Sequence, residues 1–250
     1  MWKTCGRPGD ARIIGMGIRR AGRPRLHGMQ RSGATPEEQI LDAAAELFAA
    51  RGYAGTSTRA IAETAGLRQP SLYYYFAGKQ EILARLVRFL WQPALAYGRQ
   101  VAAVDAAPDA RLYALLSYDI EVLRSLPWNL GSLFFSPELR ASEFSSLYEE
   151  RFQLREVYRG FIRDGASSGV LGLDDPDFAA DLLFGLTESV VDLHGGDHGK
   201  DPARWGIEVA DSGLRLLAAA DPSGARAAGL ALRASLADSE EIGVSQRSSR

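Results

Sequence analysis

The sequence predicts an all-α protein: a small three-helix head followed by a larger helical body. Three observations predict it. Apolar residues recur at spacings of three and four along most of the 250-residue chain, and no stretch alternates with period two long enough for a sheet strand. Proline and glycine cut this pattern into helix-sized pieces. Residues 58–76 (Thr-Arg-Ala-Ile-Ala-Glu-Thr-Ala-Gly-Leu-Arg-Gln-Pro-Ser-Leu-Tyr-Tyr-Tyr-Phe) read as two short helices about Gly66, which tolerates the positive φ of a sharp turn.

The elements follow in order. Residues 1–34 are rich in Gly, Arg and Pro, lack an apolar period, and are expected to be a disordered basic arm. Within the arm, Arg19-Arg20-Ala21-Gly22-Arg23-Pro24-Arg25 has the Gly-Arg-Pro character of minor-groove hooks. A flexible tail adding nonspecific affinity is the alternative, and Met16 and Met29 are alternative starts to Met1. The first helix opens at Thr35-Pro36-Glu37-Glu38, where Thr35 and Glu38 can form a capping box and Pro36 suits the first helical position. Ile40, Ala44, Leu47 and Phe48 form its apolar face and Gly52 closes it. Helices follow at about 58–65 and 69–76. A fourth begins near Lys79 with Ile82, Leu83, Leu86, Phe89 and Leu90 inward, and Pro93 bends or breaks it. The remaining helical segments are expected near 94–104, 108–125, 128–135, 138–168, 175–195, 202–219 and 222–237, with the last dozen residues a disordered tail. The domain reading is an arm at 1–34, a head at 35–78, a body at 79–220 and an extension at 221–250.

Composition excludes some classes and favours another. No run approaches the roughly 18 apolar residues of a membrane span, so no membrane partner is expected. A single cysteine, Cys5, leaves no disulfide framework and fits a reducing cytoplasm. The net charge is only −2, but its distribution is uneven. Residues 1–31 hold eight Lys or Arg against one acid, whereas residues 91–250 hold fifteen against twenty-four. Positive charge gathered beside the two short helices points to a phosphate-rich partner more than pI does.

The second short helix then supplies the chemistry. Leu72 and Phe76, four apart, turn inward together and leave Gln69, Ser71, Tyr73 and Tyr74 facing out. Amide, hydroxyl and phenol groups on one face suit a helix lying in a major groove. Arg59 can take guanine O6 and N7, Gln69 adenine N6 and N7, and Pro70 a thymine methyl. Ser71, Tyr73, Tyr75 and Lys79 are expected on phosphates.

From about Thr35 to Leu90 the chain resembles the DNA-binding domain of TetR-type regulators. The resemblance rests on Ala44 to Phe48 as A-x-x-L-F, Arg51-Gly52-Tyr53, Thr56, Ile61-Ala62, Ala65-Gly66, Leu72-Tyr73, Tyr75-Phe76 and Lys79, in that order. It implies DNA contact by Arg59, Gln69, Pro70, Ser71 and Tyr73, within a candidate face of Thr58, Arg59, Arg68, Gln69, Pro70, Ser71, Tyr73, Tyr74, Tyr75 and Lys79. Arg68 departs from the family's small capping serine, which weakens the cap and adds a cation at the groove. The resemblance also implies a homodimer on double-stranded operator DNA, with a small-molecule effector in the body. Repression is commoner than activation in the family.

Tyr113, Tyr118, Trp128, Phe135, Tyr148 and Phe152 lie on segments matching the family's pocket helices and are the candidate ligand wall. Few charged residues are expected to point inward there, so the effector is expected to be apolar or aromatic. The late helices 175–195 and 202–219 carry apolar stripes, Phe178/Leu182/Leu183/Leu186/Val190/Val191 and Ile207/Val209/Ala210/Leu214/Leu217, and are expected to pair two subunits. His194, Asp197 and His198 are a thin metal set without a nearby fourth ligand, and no cofactor is expected. Three histidines, one cysteine and no Walker-type loop leave nucleophilic catalysis poorly supplied. A helical enzyme on an aromatic or acyl substrate and an architectural DNA-binding protein remain the readings from other classes.

Overall fold

A computed structural model describes residues 35–126, 130, 139, 144–192 and 201–247. The expectations for the basic arm, for a helix at 128–135, for Trp128 and Phe135, and for His194, Asp197 and His198 lie outside these residues. Among the described residues there are ten helices and no strand: α1 Pro36–Arg51, α2 Thr58–Thr64, α3 Gln69–Tyr75, α4 Lys79–Arg88, α5 Gln92–Ala102, α6 Pro108–Ser125, α7 Ser145–Ser167, α8 Pro176–Asp192, α9 Pro202–Leu216 and α10 Pro222–Arg247.

The head is built by local rules. Thr35 and Glu38 close the capping box at α1, the Thr35 Oγ1 accepting from the Glu38 N–H and the Glu38 carboxylate accepting from the Thr35 N–H at 2.7 Å. Gly52 ends α1 with φ +72°. Ser57 caps α2 through the Ala60 N–H. Gly66 turns the chain with φ +73°, a conformation that costs a β-carbon residue dearly. Ile40, Ala44, Leu47 and Phe48 of α1, Ile61 and Ala62 of α2, Leu72 of α3, the adjoining Phe76, and Ile82, Leu83 and Leu86 of α4 form one apolar core. Burial of each large side chain among these, Ile, Leu or Phe, stabilises the head by about 1.5–3 kcal/mol before entropy is counted.

α4 stops at Arg88, before Pro93 is reached. Residues 89–91 form a turn, Leu90 and Trp91 are buried, and Pro93 sits in the first turn of α5, where its missing N–H is harmless. α4 packs on α1 and also touches α7, so it joins head to body.

α6 is the axis of the body. It packs against α5, α7, α8, α9 and α10 and buries residues on nearly every side. α9 approaches it most closely. A β-carbon at Gly206 would stand 2.3 Å from the Ser117 carbonyl oxygen, so only glycine admits this contact. α7 and α8 pair antiparallel through a ladder of ions. Arg151 grips Glu188, Arg155 grips Asp181, Arg159 reaches both Asp177 and Asp181, and Arg163 grips Asp177.

Two expectations are corrected here. The disordered tail expected over the last dozen residues is helical as far as Arg247. α10 is anchored on α6 by buried Ala225 and the partly buried Leu230, Leu232 and Leu236, and an anchored Ala/Leu-rich helix propagates readily. The stripe expected to pair subunits from 202–219 is mostly spent within the chain. Ala210, Leu214 and Leu217 are buried, and α9 lies on α6.

Candidate DNA-binding face and ligand cavity

α2 and α3 present one continuous polar surface. Arg59, Arg68, Pro70, Ser71, Tyr73, Tyr74 and Tyr75 are exposed, with Tyr74 the most open at 84%, while Thr58 and Gln69 are half-buried between the helices. The Gln69 amide donates to the Thr58 hydroxyl at 3.3 Å, and that hydroxyl shares a hydrogen bond of 3.1 Å with the Tyr73 phenol. These bonds fix the roll of α3 on α2. They leave the Gln69 carbonyl oxygen and one amide hydrogen available to a base edge. Arg59 pairs with Glu63 one turn on, an exposed ion pair of small worth that a phosphate or guanine can displace. Arg68 precedes α3 with no side-chain cap, as its departure from serine implies.

One candidate contact stands differently from expectation. Lys79 is turned inward. Its ammonium donates to the Tyr53 and Thr56 carbonyl oxygens at 2.7 and 2.8 Å and lies 4.1 Å from the centre of the Tyr53 ring. It therefore clamps the α1–α2 loop before it can hold a phosphate. Thr56 completes that loop from a buried position, donating to the Leu47 and Gly52 carbonyl oxygens.

The expected aromatic wall does not assemble among the described residues. Tyr113 is wholly buried as a strut. Its phenol donates to Asp211 at 3.0 Å, Asp211 also pairs with Arg226, and burial raises the phenol well above its ordinary pKa. Tyr148 and Phe152 are exposed on α7, at 41% and 50%, because α7 turns Leu147, Leu154, Tyr158 and Phe161 inward instead. Tyr118 does line a space. It stacks on Tyr97 with ring centres 4.0 Å apart, beside a cleft of about 220 Å³ between α5, α6 and α10 that Arg233 also borders.

A second, tighter cavity of about 20 Å³ lies where α4 meets the body. Leu90 and Trp91 close it from the turn after α4, Leu123 from α6, Leu154 from α7, and Phe184 and Val191 from α8. Its polar wall is Asp119, Arg151, Thr187 and Glu188, so the expectation of few inward charges fails here. Asp119 is buried and accepts from the Tyr158 hydroxyl at 2.8 Å. Burial, and to a lesser degree the Glu188 charge, push its carboxyl up to about 7 against the opposing Tyr158 hydrogen bond. Arg151 and Glu188 form a two-bond fork across α7 and α8.

The sequence held signals for these groups. Asp119 interrupts an otherwise apolar, aromatic run, and Arg151, Arg155, Arg159 and Arg163 repeat every fourth residue opposite Asp177 and Asp181. What the spacing lacked was the partner helix. Among the described residues no group of three or more His, Cys, Asp or Glu gathers as a metal site, and no described helix is long and apolar enough to cross a membrane.

Residues 40–86 match the sequence model of the family described as bacterial regulatory proteins, tetR family. The crystal structure of Mycobacterium smegmatis AmtR is 36% identical and superposes with a TM-score of 0.73, covering 81% of this chain and 96% of that one. The HTH-type transcriptional repressor KstR2 of Mycobacterium tuberculosis is 28% identical over 148 residues, 58% of this chain and 72% of KstR2. The regulator FadR of Bacillus subtilis, solved in complex with stearoyl-CoA, is 26% identical with a TM-score of 0.54, covering 72% of this chain and 96% of that one.

Proposed function

This chain belongs to the TetR family of bacterial regulatory proteins, and from that premise we propose that it works as a homodimeric repressor released from its operator by a small molecule held in the body. It is a DNA-binding transcriptional regulator. The observation that carries the finer reading is the exposed polar face of α2 and α3, held in one roll by the Gln69–Thr58–Tyr73 bonds. Arg59 and Gln69 read base edges, while Thr58, Arg68, Ser71, Tyr73, Tyr74 and Tyr75 hold phosphate and sugar, and Pro70 meets a thymine methyl. Lys79 supports the face from behind.

Two copies pair through α7 and α8. Phe178, Leu182 and Leu186 form an exposed stripe on α8, and Tyr148 and Phe152 are exposed on α7, so a lone chain would leave a broad apolar surface in water. Pairing there sets the distance between the two α3 helices. An operator with half-sites about 34–36 Å apart is then bound by both. A ligand between α4, α6, α7 and α8 pushes on Leu90 and Trp91, in the turn just after α4, and α4 rests on α1. Such a ligand favours another head spacing and lowers operator affinity, a coupling that is reciprocal. The arm at residues 1–34 adds affinity for phosphate, and the protein acts in the cytoplasm.

The test is operator binding by fluorescence anisotropy. Gln69→Ala and Arg59→Ala should each cost about 1–3 kcal/mol at the operator and relax one base position. Unchanged affinity and preference in both variants would remove α3 from the reading of sequence.

A further inference from the structure

We propose that the cavity at the α4–body junction takes a small organic cation, a protonated amine on an apolar or aromatic body, with Asp119 as the anchor of its charge. The proposal rests on the reading of the body as the sensing domain and names the chemistry of what it senses.

The charges around the cavity are unevenly matched. Arg151 already holds both oxygens of Glu188 in a fork and lies over the Phe184 ring at 5.3 Å. Among the described residues no Lys, Arg or His pairs with Asp119, whose partner is the neutral Tyr158 hydroxyl. A buried carboxyl with a neutral partner is costly to ionise, and burial holds it partly protonated near neutral pH. A cation placed against it removes that cost. It also meets the favourable potential of Glu188. An anionic ligand would face two carboxylates and a guanidinium that is already engaged. A wholly apolar ligand would leave Asp119 shut away from water without a gain.

The shape agrees. A space of about 20 Å³ has room for roughly one water-sized group, which suits an ammonium head and little more. The remaining walls, Leu90, Trp91, Leu123, Leu154, Phe184 and Val191, are apolar or aromatic. A body attached to the amine enters by parting them, and the Trp91 ring can face the charge. Because Leu90 and Trp91 lie in the turn that follows α4, the parting is felt at the end of the helix that joins the head. The expected apolar or aromatic effector thus gains a charged end.

The experiment uses the full chain and three probes of one shape: benzylamine, benzyl alcohol and benzoate. Calorimetry and thermal melting read binding, and anisotropy on the operator reads release. Benzylamine should bind more tightly than benzyl alcohol by at least about tenfold, the usual scale for a charge-assisted hydrogen bond. Near neutral pH its binding should release a proton, seen as a heat that depends on the buffer. Asp119→Asn keeps an acceptor for Tyr158 and should abolish the preference for the amine. Tyr158→Phe removes the competing donor and should keep or raise amine affinity, which guards against a folding defect in the first variant. Equal binding of amine and alcohol, preference for benzoate, absence of amine binding, or an unchanged preference in Asp119→Asn would each overturn the proposal. Operator release by molecules of another class would leave the regulator reading standing while the cation proposal fails. Amine binding through Asp119 without any change at the operator would uphold the site and sink the coupling.

Discussion

The head and the body use polar groups in opposite ways. In α1 to α4 the polar side chains sit at caps, at the loop clamp of Lys79, or outward on α3, and the core is apolar. In α5 to α9 they run through the interior: Asp119 with Tyr158, Tyr113 with Asp211, and the Arg151–Glu188 fork beside a cavity. A reader of DNA needs its donors and acceptors in water until the groove replaces that water. A sensor needs them inside, where an incoming group changes the energy most. The contrast teaches that the same helical material is divided by where its polarity is stored.

The sharpest way to break this contrast is at the surface through which two bodies are proposed to set two heads. Leu186→Glu places a charge in the proposed α7–α8 interface, a penalty of about 3–5 kcal/mol if that surface is buried by a partner. Light scattering should report a folded monomer. Leu214→Glu, in the α6–α9 core, should instead give insoluble protein. A Leu186→Glu protein that stays dimeric would move the interface elsewhere.

A smaller effect is expected from the buried acid. The folded carboxyl of Asp119 is raised to about 7, whereas the unfolded one ionises in the ordinary range near 4. Below that range both states hold the proton, and the buried acid costs nothing. Between about pH 4 and 7 only the folded state keeps it, so stability falls as pH rises. Relative to Asp119→Asn, wild type should lose a few kcal/mol across this window and then level off. Parallel denaturation curves for the two proteins at every pH would show that Asp119 is not perturbed.

The least effect sharpens the head. Lys79→Ala frees two carbonyl oxygens in the α1–α2 loop and should cost the head about 1–2 kcal/mol. Its salt dependence of DNA binding should barely change. A slope lower by about one ion would restore Lys79 to the phosphate backbone.

The two regions also differed in how far they could be read from sequence. The head's signals are local: Thr35 with Glu38, Gly52, Ser57 and Gly66 each act within a few residues of where they stand, and the structure keeps them. Side chains whose role depends on a distant helix were harder. Tyr148 and Phe152 share an apolar character with Leu147 and Leu154, and only the placement of the helices packed on α7 decides which pair is buried. The α9 stripe looked free because nothing nearby in sequence announces Gly206 and Gly213 as the residues that let α6 close upon it. Asp119 is hard to single out for the same reason, since an acid in a helical run is usually solvated and its burial depends on distant helices such as that of Tyr158.

Paired bodies are proposed to fix the spacing at which two heads read DNA. This is tested most directly by operator affinity as the half-sites are moved apart. Inserting half a helical turn, about five base pairs, rotates one half-site to the far side of the duplex. Wild-type affinity should then fall to that of the Leu186→Glu monomer, which itself should be indifferent to the insertion. Equal binding of the dimer to both spacings would contradict the claim.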